Sequence, residues 1–102
     1  MSNDKIEIES VRSPGHVERV ERAKYVAMRD ALLAVLPVGP PGLTVAAAKA
    51  ALLPNLPEQL FPQGKTAGWW LKAVQLDLEA KGIVQREPVK PIQLYRRASA
   101  PA

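Results

Sequence analysis

The sequence predicts a mainly α-helical domain with a small β-ribbon, and three observations lead to this prediction. Two segments, 17–36 and 66–81, repeat apolar residues at the three- and four-residue spacing of a helix with one buried side. A third, 45–53, is an alanine-rich run that ends at Pro54. The last segment, 83–96, alternates like two strands around a turn. At 102 residues the chain has the length of one domain.

A short strand precedes the first predicted helix. Residues 5–9 alternate polar and apolar side chains, which is typical of a half-buried strand, and Ser13-Pro14-Gly15 then breaks the chain. We predict the first helix over 17–36 because Pro37 ends it and apolar residues recur at 25, 28, 32, 35 and 36.

The second helix has a clear start. Thr44 is a good N-cap because its hydroxyl can accept a hydrogen bond from a first-turn amide. The connector 54–65 contains three prolines but also Leu56, Leu60 and Phe61, so we expect an ordered loop or a single helical turn that caps the core.

The third helix, 66–81, has two different sides and ends at Gly82. One side is apolar and predicts core positions at Ala67, Trp70, Leu71, Val74 and Leu78. The opposite side carries Lys65, Trp69, Lys72, Leu76 and Glu79, with Gln75 at its edge. Asp77 and Glu79 are two positions apart on a helix and point to different sides, so they do not form a catalytic pair of carboxylates. We expect both to be solvated charges.

Three helices followed by a two-stranded ribbon are the layout of a winged helix-turn-helix, with the C-terminal ribbon as its wing. The predicted organisation is an N-terminal segment over 1–16 with the short strand, a winged-helix domain over 17–97 and a frayed tail over 98–102.

Two stretches carry resemblances to known proteins. Leu78-Glu-Ala-Lys-Gly-Ile-Val-Gln-Arg86 resembles the end of the recognition helix in winged-helix regulators. A longer pattern includes Gly42-Leu-Thr44, Leu60-Phe-Pro62, Gly68-Trp-Trp70 and Val74-Gln-Leu-Asp-Leu78. This pattern is similar to a family of small bacterial proteins of unknown function over roughly residues 20–96. The resemblance implies the same winged-helix fold and supplies no activity.

The composition argues against catalysis. The chain has no cysteine, which excludes a disulfide framework, a thiolate zinc site and a cysteine nucleophile. The single histidine, His16, lies in a breaker segment without a partner at motif spacing. Gly64-Lys65-Thr66 lacks the upstream glycine of a phosphate-binding loop, because position 59 is glutamine. We therefore expect no enzyme, no cofactor and no metal.

Charge and hydropathy point to the compartment and the partner. No apolar run approaches the ~18 residues of a membrane span, and residues 1–9 lack the apolar stretch of a secretory signal, so we expect a cytoplasmic protein. The net charge is +4, and residues 1–30 contribute none of it, because six basic residues balance six acidic ones. The C-terminal two-thirds is therefore basic, which fits a polyanionic partner.

Our first hypothesis is a module that binds duplex DNA. The outer side of the third helix would enter the major groove, and the ribbon would hold the DNA backbone. The predicted DNA-binding residues are Lys65, Thr66, Trp69, Lys72, Arg86, Lys90, Arg96 and Arg97.

Our second hypothesis is a protein-interaction module, either a homodimer or a domain with another protein partner. Trp69 and Leu76 are large apolar residues seven positions apart on the outer side of the third helix, and tryptophan is frequent among binding hot spots. A third possibility needs no partner, since the strand with Ile6 and Ile8, or the connector with Phe61, could cover both side chains.

Overall fold

Three helices and two antiparallel sheets make up the part of the chain that the computed structural model describes, residues 5–10 and 13–96. The helices are α1 (Arg22–Val35), α2 (Val45–Leu52) and α3 (Ala67–Ala80). The strands are β1 (Lys5–Ser10), β2 (Ser13–Glu21), β3 (Leu43–Thr44), β4 (Val84–Glu87) and β5 (Gln93–Arg96).

Local signals place α2 and α3 close to their predicted bounds. The Thr44 side chain accepts a hydrogen bond from the Ala47 amide at 3.1 Å, so this residue is the N-cap of α2 as predicted. After α3, Gly82 adopts a φ of +76°, a left-handed conformation that glycine reaches at little cost.

The N-terminal residues form a β-hairpin, and the predicted start of the first helix is wrong. Strand β1 pairs antiparallel with β2, so residues 17–21 are extended and α1 begins only at Arg22. Val20 is buried at 7% exposure and Val17 is 45% exposed. The hairpin buries Val20 and Ile8 against the helices, which favours the strand over a longer helix.

The C-terminal ribbon belongs to a larger sheet. Its three strands lie in the order β3-β5-β4, so β5 is central and pairs on both sides. The residue before β3, Gly42, passes close to β5, because a Cβ atom there would lie 2.2 Å from the carbonyl oxygen of Leu94. Only glycine fits at this position without a shift of the backbone.

The predicted fold class, a mainly α winged helix-turn-helix with a C-terminal two-stranded wing, is therefore wrong. The structure is an α/β fold with three helices and two sheets, of two and three strands. The ribbon is not a separate wing because β3 pairs with β5, and the N-terminal strand is not a minor addition because β2 extends it to a hairpin.

The core lies where α1, α2 and α3 meet the two sheets. Its fully covered side chains include Met28 and Leu32 of α1, Leu52 of α2, Val74 of α3 and Leu94 of β5. The predicted core residues of α3 are confirmed as buried: Ala67, Trp70, Leu71, Val74 and Leu78.

The connector between α2 and α3 is ordered and helps to close the core. It contains two short 3-10 helices, Leu53–Asn55 and Pro62–Gly64. Phe61 is only 2% exposed, and its ring contacts Trp70 edge-on with 6.5 Å between ring centroids.

Asp77 attaches the N-terminal hairpin to the helices. Its carboxylate is fully buried and accepts hydrogen bonds from the Glu9 amide at 2.9 Å, from the Tyr25 hydroxyl and from the Lys81 ammonium. Burial raises the pKa of Tyr25, and the hydrogen bond to Asp77 raises it further. The expectation that Asp77 is a solvated charge is wrong, because the hairpin covers the side of α3 from which it projects.

Candidate binding surface

The outer side of α3 remains open in its first half. Trp69 is 55% exposed and Lys72 is exposed, and Lys65 and Thr66, which precede the helix, are exposed as well. Four of the predicted DNA-binding residues therefore lie together at the start of α3. The Thr66 hydroxyl donates to the carbonyl of Lys65 at 2.5 Å, so it is not a free donor.

The two tryptophans of α3 face opposite environments. Trp70 is buried, whereas the indole of Trp69 meets it edge-on at 5.1 Å between ring centroids and leaves its other side open. Neither the hairpin nor Phe61 covers Trp69, so the expectation that the chain itself buries this residue is wrong. Leu76 is half-buried.

Arg86 and Glu79 form a fork-like ion pair between β4 and α3. The guanidinium donates two hydrogen bonds to the carboxylate, of 2.7 Å from Nε and 3.0 Å from Nη2. The Gln75 amide donates to the same carboxylate at 2.9 Å. The bond with Glu79 raises the pKa of Arg86. The expectation that Glu79 is a solvated charge is wrong, because its side chain is only 6% exposed.

The structure does not bring the predicted basic residues of the ribbon together as a free cluster. Lys90 is exposed in the turn between β4 and β5. Arg96 is half-buried, and its Nε donates to the carbonyl of Leu36 at 3.1 Å. Arg97 lies outside the described residues. Arg86 and Arg96 thus have structural partners within the domain.

A groove runs between α2, α3 and the three-stranded sheet, and we call it the α2–α3 groove. It encloses about 490 Å³. Its apolar lining consists of Val45, Leu71, Leu76 and Ile92. Its polar lining consists of Lys49, Lys72, Gln75 and Arg86, and Gly68 completes the wall. Three cations and no carboxylate therefore line this groove.

A second groove lies where the hairpin meets the C-terminal end of α3, and we call it the hairpin groove. Its cations are Lys5, Arg19, Arg22, Arg29 and Lys81. Most of these have a carboxylate nearby. Lys81 binds Asp77 and Arg29 binds Asp30, while the strand register places Glu7 opposite Arg19 and Glu21 opposite Lys5. The hairpin groove is therefore closer to electrical balance than the α2–α3 groove.

Sequence reasoning missed the contribution of α2 to the α2–α3 groove. Lys49 lies in the middle of α2, and its ammonium reaches α3 at Gly68, where a Cβ atom would be 3.4 Å from Nζ. Nothing in the sequence pairs residues 49 and 68, because only the packing of the two helices brings them together. Val45 and Ile92 were missed for the same reason.

Two structural features are absent from residues 5–10 and 13–96. No group of three or more histidine, cysteine, aspartate or glutamate side chains in this part of the chain could hold a metal ion. No helix there has the length and apolar character needed to cross a membrane.

Comparison with known proteins places the chain in a family. A family model described as a family of unknown function (DUF6958) matches residues 5–94. The chain belongs to this family. The DUF6958 match contains every residue that lines the two grooves. It confirms the predicted membership of a family of unknown function. Searches of curated proteins and of solved structures found no match.

Proposed function

We propose that this DUF6958 protein is a non-catalytic binding protein whose partner is duplex DNA, bound on the open side of α3. One observation supports this more than any other. Lys49, Lys65, Lys72 and Lys90 are exposed and have no ion-pair partner in the described part of the chain. We assign the DNA-contacting surface to these four lysines.

The carboxylates of α3 do not offset this surface. Asp77 is occupied by Lys81, and Glu79 is occupied by Arg86. Phosphate groups would therefore meet lysine side chains without competition from acidic neighbours on the same helix. Lysine contacts to phosphates release condensed counterions, which is the main source of affinity in sequence-independent binding.

The shape of α3 supports contact with the major groove. The groove of B-DNA is about 12 Å wide and admits one α-helix. The first half of α3 carries Trp69 and Lys72 on its open side, and Lys65 lies two residues before its start. Arg86 and Arg96 have no direct part in this proposal because each is bonded within the domain.

A salt titration with a duplex of about 30 base pairs tests the proposal. Four phosphate contacts give a slope of about −3.6 when the logarithm of the binding constant is plotted against the logarithm of the salt concentration. Each contact removed makes this slope less negative by about 0.9. We expect Lys65→Gln combined with Lys72→Gln to reduce the slope to about −1.8. The matched control is Lys5→Gln, a lysine on β1, which should leave the slope unchanged. Undetectable binding at 20 mM salt would refute DNA binding.

The exposure of Trp69 favours a second candidate function, self-association of two copies through α3. An indole that is 55% exposed and supported from one side by Trp70 is a rigid apolar surface. Sedimentation over a range of concentrations tests this candidate with the Trp69→Ala variant. We expect a dimer that the substitution weakens, and a monomer at every concentration would eliminate the candidate.

We propose the cytoplasm as the compartment, on the basis of the sequence. The absence of cysteine from all 102 residues is compatible with a reducing environment. The bacterial origin implied by the resemblance also stays a prediction.

A further inference from the structure

We infer that the α2–α3 groove binds a small organic anion with an apolar body, such as a medium-chain carboxylate. This inference shares Lys49 and Lys72 with the DNA proposal but concerns the interior of the groove. The DNA proposal also uses Lys65, which precedes α3, and Lys90, which lies in the turn between β4 and β5, and neither lines the groove.

The floor of the groove selects for hydrocarbon. Leu71 is buried at 2% exposure, and Val45, Leu76 and Ile92 are half-buried at the edge of the core with part of their surface open to the groove. A phosphate group gains nothing from this surface, whereas each methylene group of an alkyl chain is stabilised when it leaves water. The ligand therefore needs an apolar portion.

The polar lining selects for negative charge. Lys49 projects from α2 and Lys72 from α3, and neither has an ion-pair partner in the described part of the chain. The third cation, Arg86, is already bonded to Glu79. A carboxylate would thus bind between the two ammonium groups of the lysines.

Gly68 allows the two lysines to serve one ligand. The Lys49 ammonium lies 3.4 Å from the position that a Cβ atom would take at residue 68. A Cβ atom there would only touch this ammonium, but a longer side chain would compete with it for space beside α3, on which Lys72 is also located. Glycine at this position therefore leaves room for the Lys49 ammonium in the groove.

The dimensions of the groove fit a small molecule. Its volume of about 490 Å³ lies within the range of roughly 300–1,000 Å³ that is usual for small-molecule sites. Such sites combine mostly apolar walls with a few convergent polar groups, and this combination is present here.

Titration of the ¹⁵N-labelled full chain with simple probes tests the inference. Octanoate should shift the amide resonances of Gly68, Leu76 and Ile92. The affinity should rise about fourfold per methylene group from hexanoate to octanoate. Acetate, inorganic phosphate and 1-octanol should each bind at least about tenfold more weakly than octanoate, because each lacks the chain or the charge.

Paired lysine variants distinguish this inference from the DNA proposal. Lys49→Gln with Lys72→Gln should weaken octanoate binding at least about tenfold, whereas Lys65→Gln with Lys90→Gln should leave it unchanged and should weaken only DNA binding. The inference is overturned if acetate or phosphate binds as tightly as octanoate. It is equally overturned if the shifts lie outside the groove or if both variants bind octanoate like the wild type.

Discussion

Asp77 is the residue whose environment differs most from its sequence-based expectation. A fully buried carboxylate is tolerated only when hydrogen bonds replace its lost hydration, and three donors do so here. One donor is the backbone of β1, one is a side chain of α1, and the third follows α3. A single acidic group therefore holds three parts of the fold together.

We expect Asp77→Ala to lower the free energy of unfolding by about 2–4 kcal/mol, because the Glu9 amide and the Tyr25 hydroxyl lose their acceptor. Urea denaturation measures the change. Asp30→Ala is the matched control, since that side chain is 64% exposed, and it should change stability by no more than about 0.5 kcal/mol. Equal effects of the two substitutions would contradict the role assigned to Asp77.

The raised pKa of Tyr25 predicts a loss of stability in alkali. An unfolded tyrosine loses its proton near its ordinary pKa of 10.0, while the folded protein keeps the Tyr25 proton to higher pH. The folded state thus binds more protons above pH 10, and its stability falls as the pH rises. Urea midpoints at pH 8 and pH 11 should show a smaller fall for Tyr25→Phe than for Tyr95→Phe.

The residues of the candidate site were predictable only where local spacing decides exposure. The helical period of α3 separates buried Trp70 from exposed Trp69 without any knowledge of the partners. The hydrogen-bond partners of Asp77 and Arg86 lie instead in other elements. Glu9, for example, is 68 positions away from Asp77 in the sequence. Single-sequence periodicity carries no information about such distant contacts.

At the scale of elements, α2 depends on its capping residue. The helix has only eight residues, so one satisfied amide is a large part of its local stability. We expect Thr44→Ala to cost about 0.5–2 kcal/mol. Thr66→Ala is the control, because Thr66 precedes α3 without capping it, and should cost less. Thermal or urea unfolding of the two variants would reveal whether they are equivalent.

The properties of single elements also explain why the predicted fold class is wrong. The helices are predicted by the period of their apolar residues, by capping residues and by prolines, all of which are local features of the sequence. Strand β2 carries Val17 and Val20 three positions apart, which also fits a helix, and only pairing with β1 makes it extended. Strand β3 has two residues, too few for any alternating pattern, yet its pairing with β5 turns a ribbon into a sheet.

For the whole molecule, the hairpin is a structural part of the domain. It buries Ile8 and Val20, and burial of two such side chains contributes roughly 3–6 kcal/mol. That amount is a large share of the ~5–15 kcal/mol typical of a domain. We expect a chain that starts at Arg22 to unfold at a much lower urea concentration. An unchanged midpoint would show that the helices are stable without the hairpin.

The bond between the Glu9 amide and Asp77 also has a consequence for biosynthesis. The hairpin is synthesised before its acceptor, which is made 68 residues later. An isolated two-stranded hairpin is marginally stable at best in water. Translation must therefore proceed past α3 before β1 and β2 gain their support from Asp77.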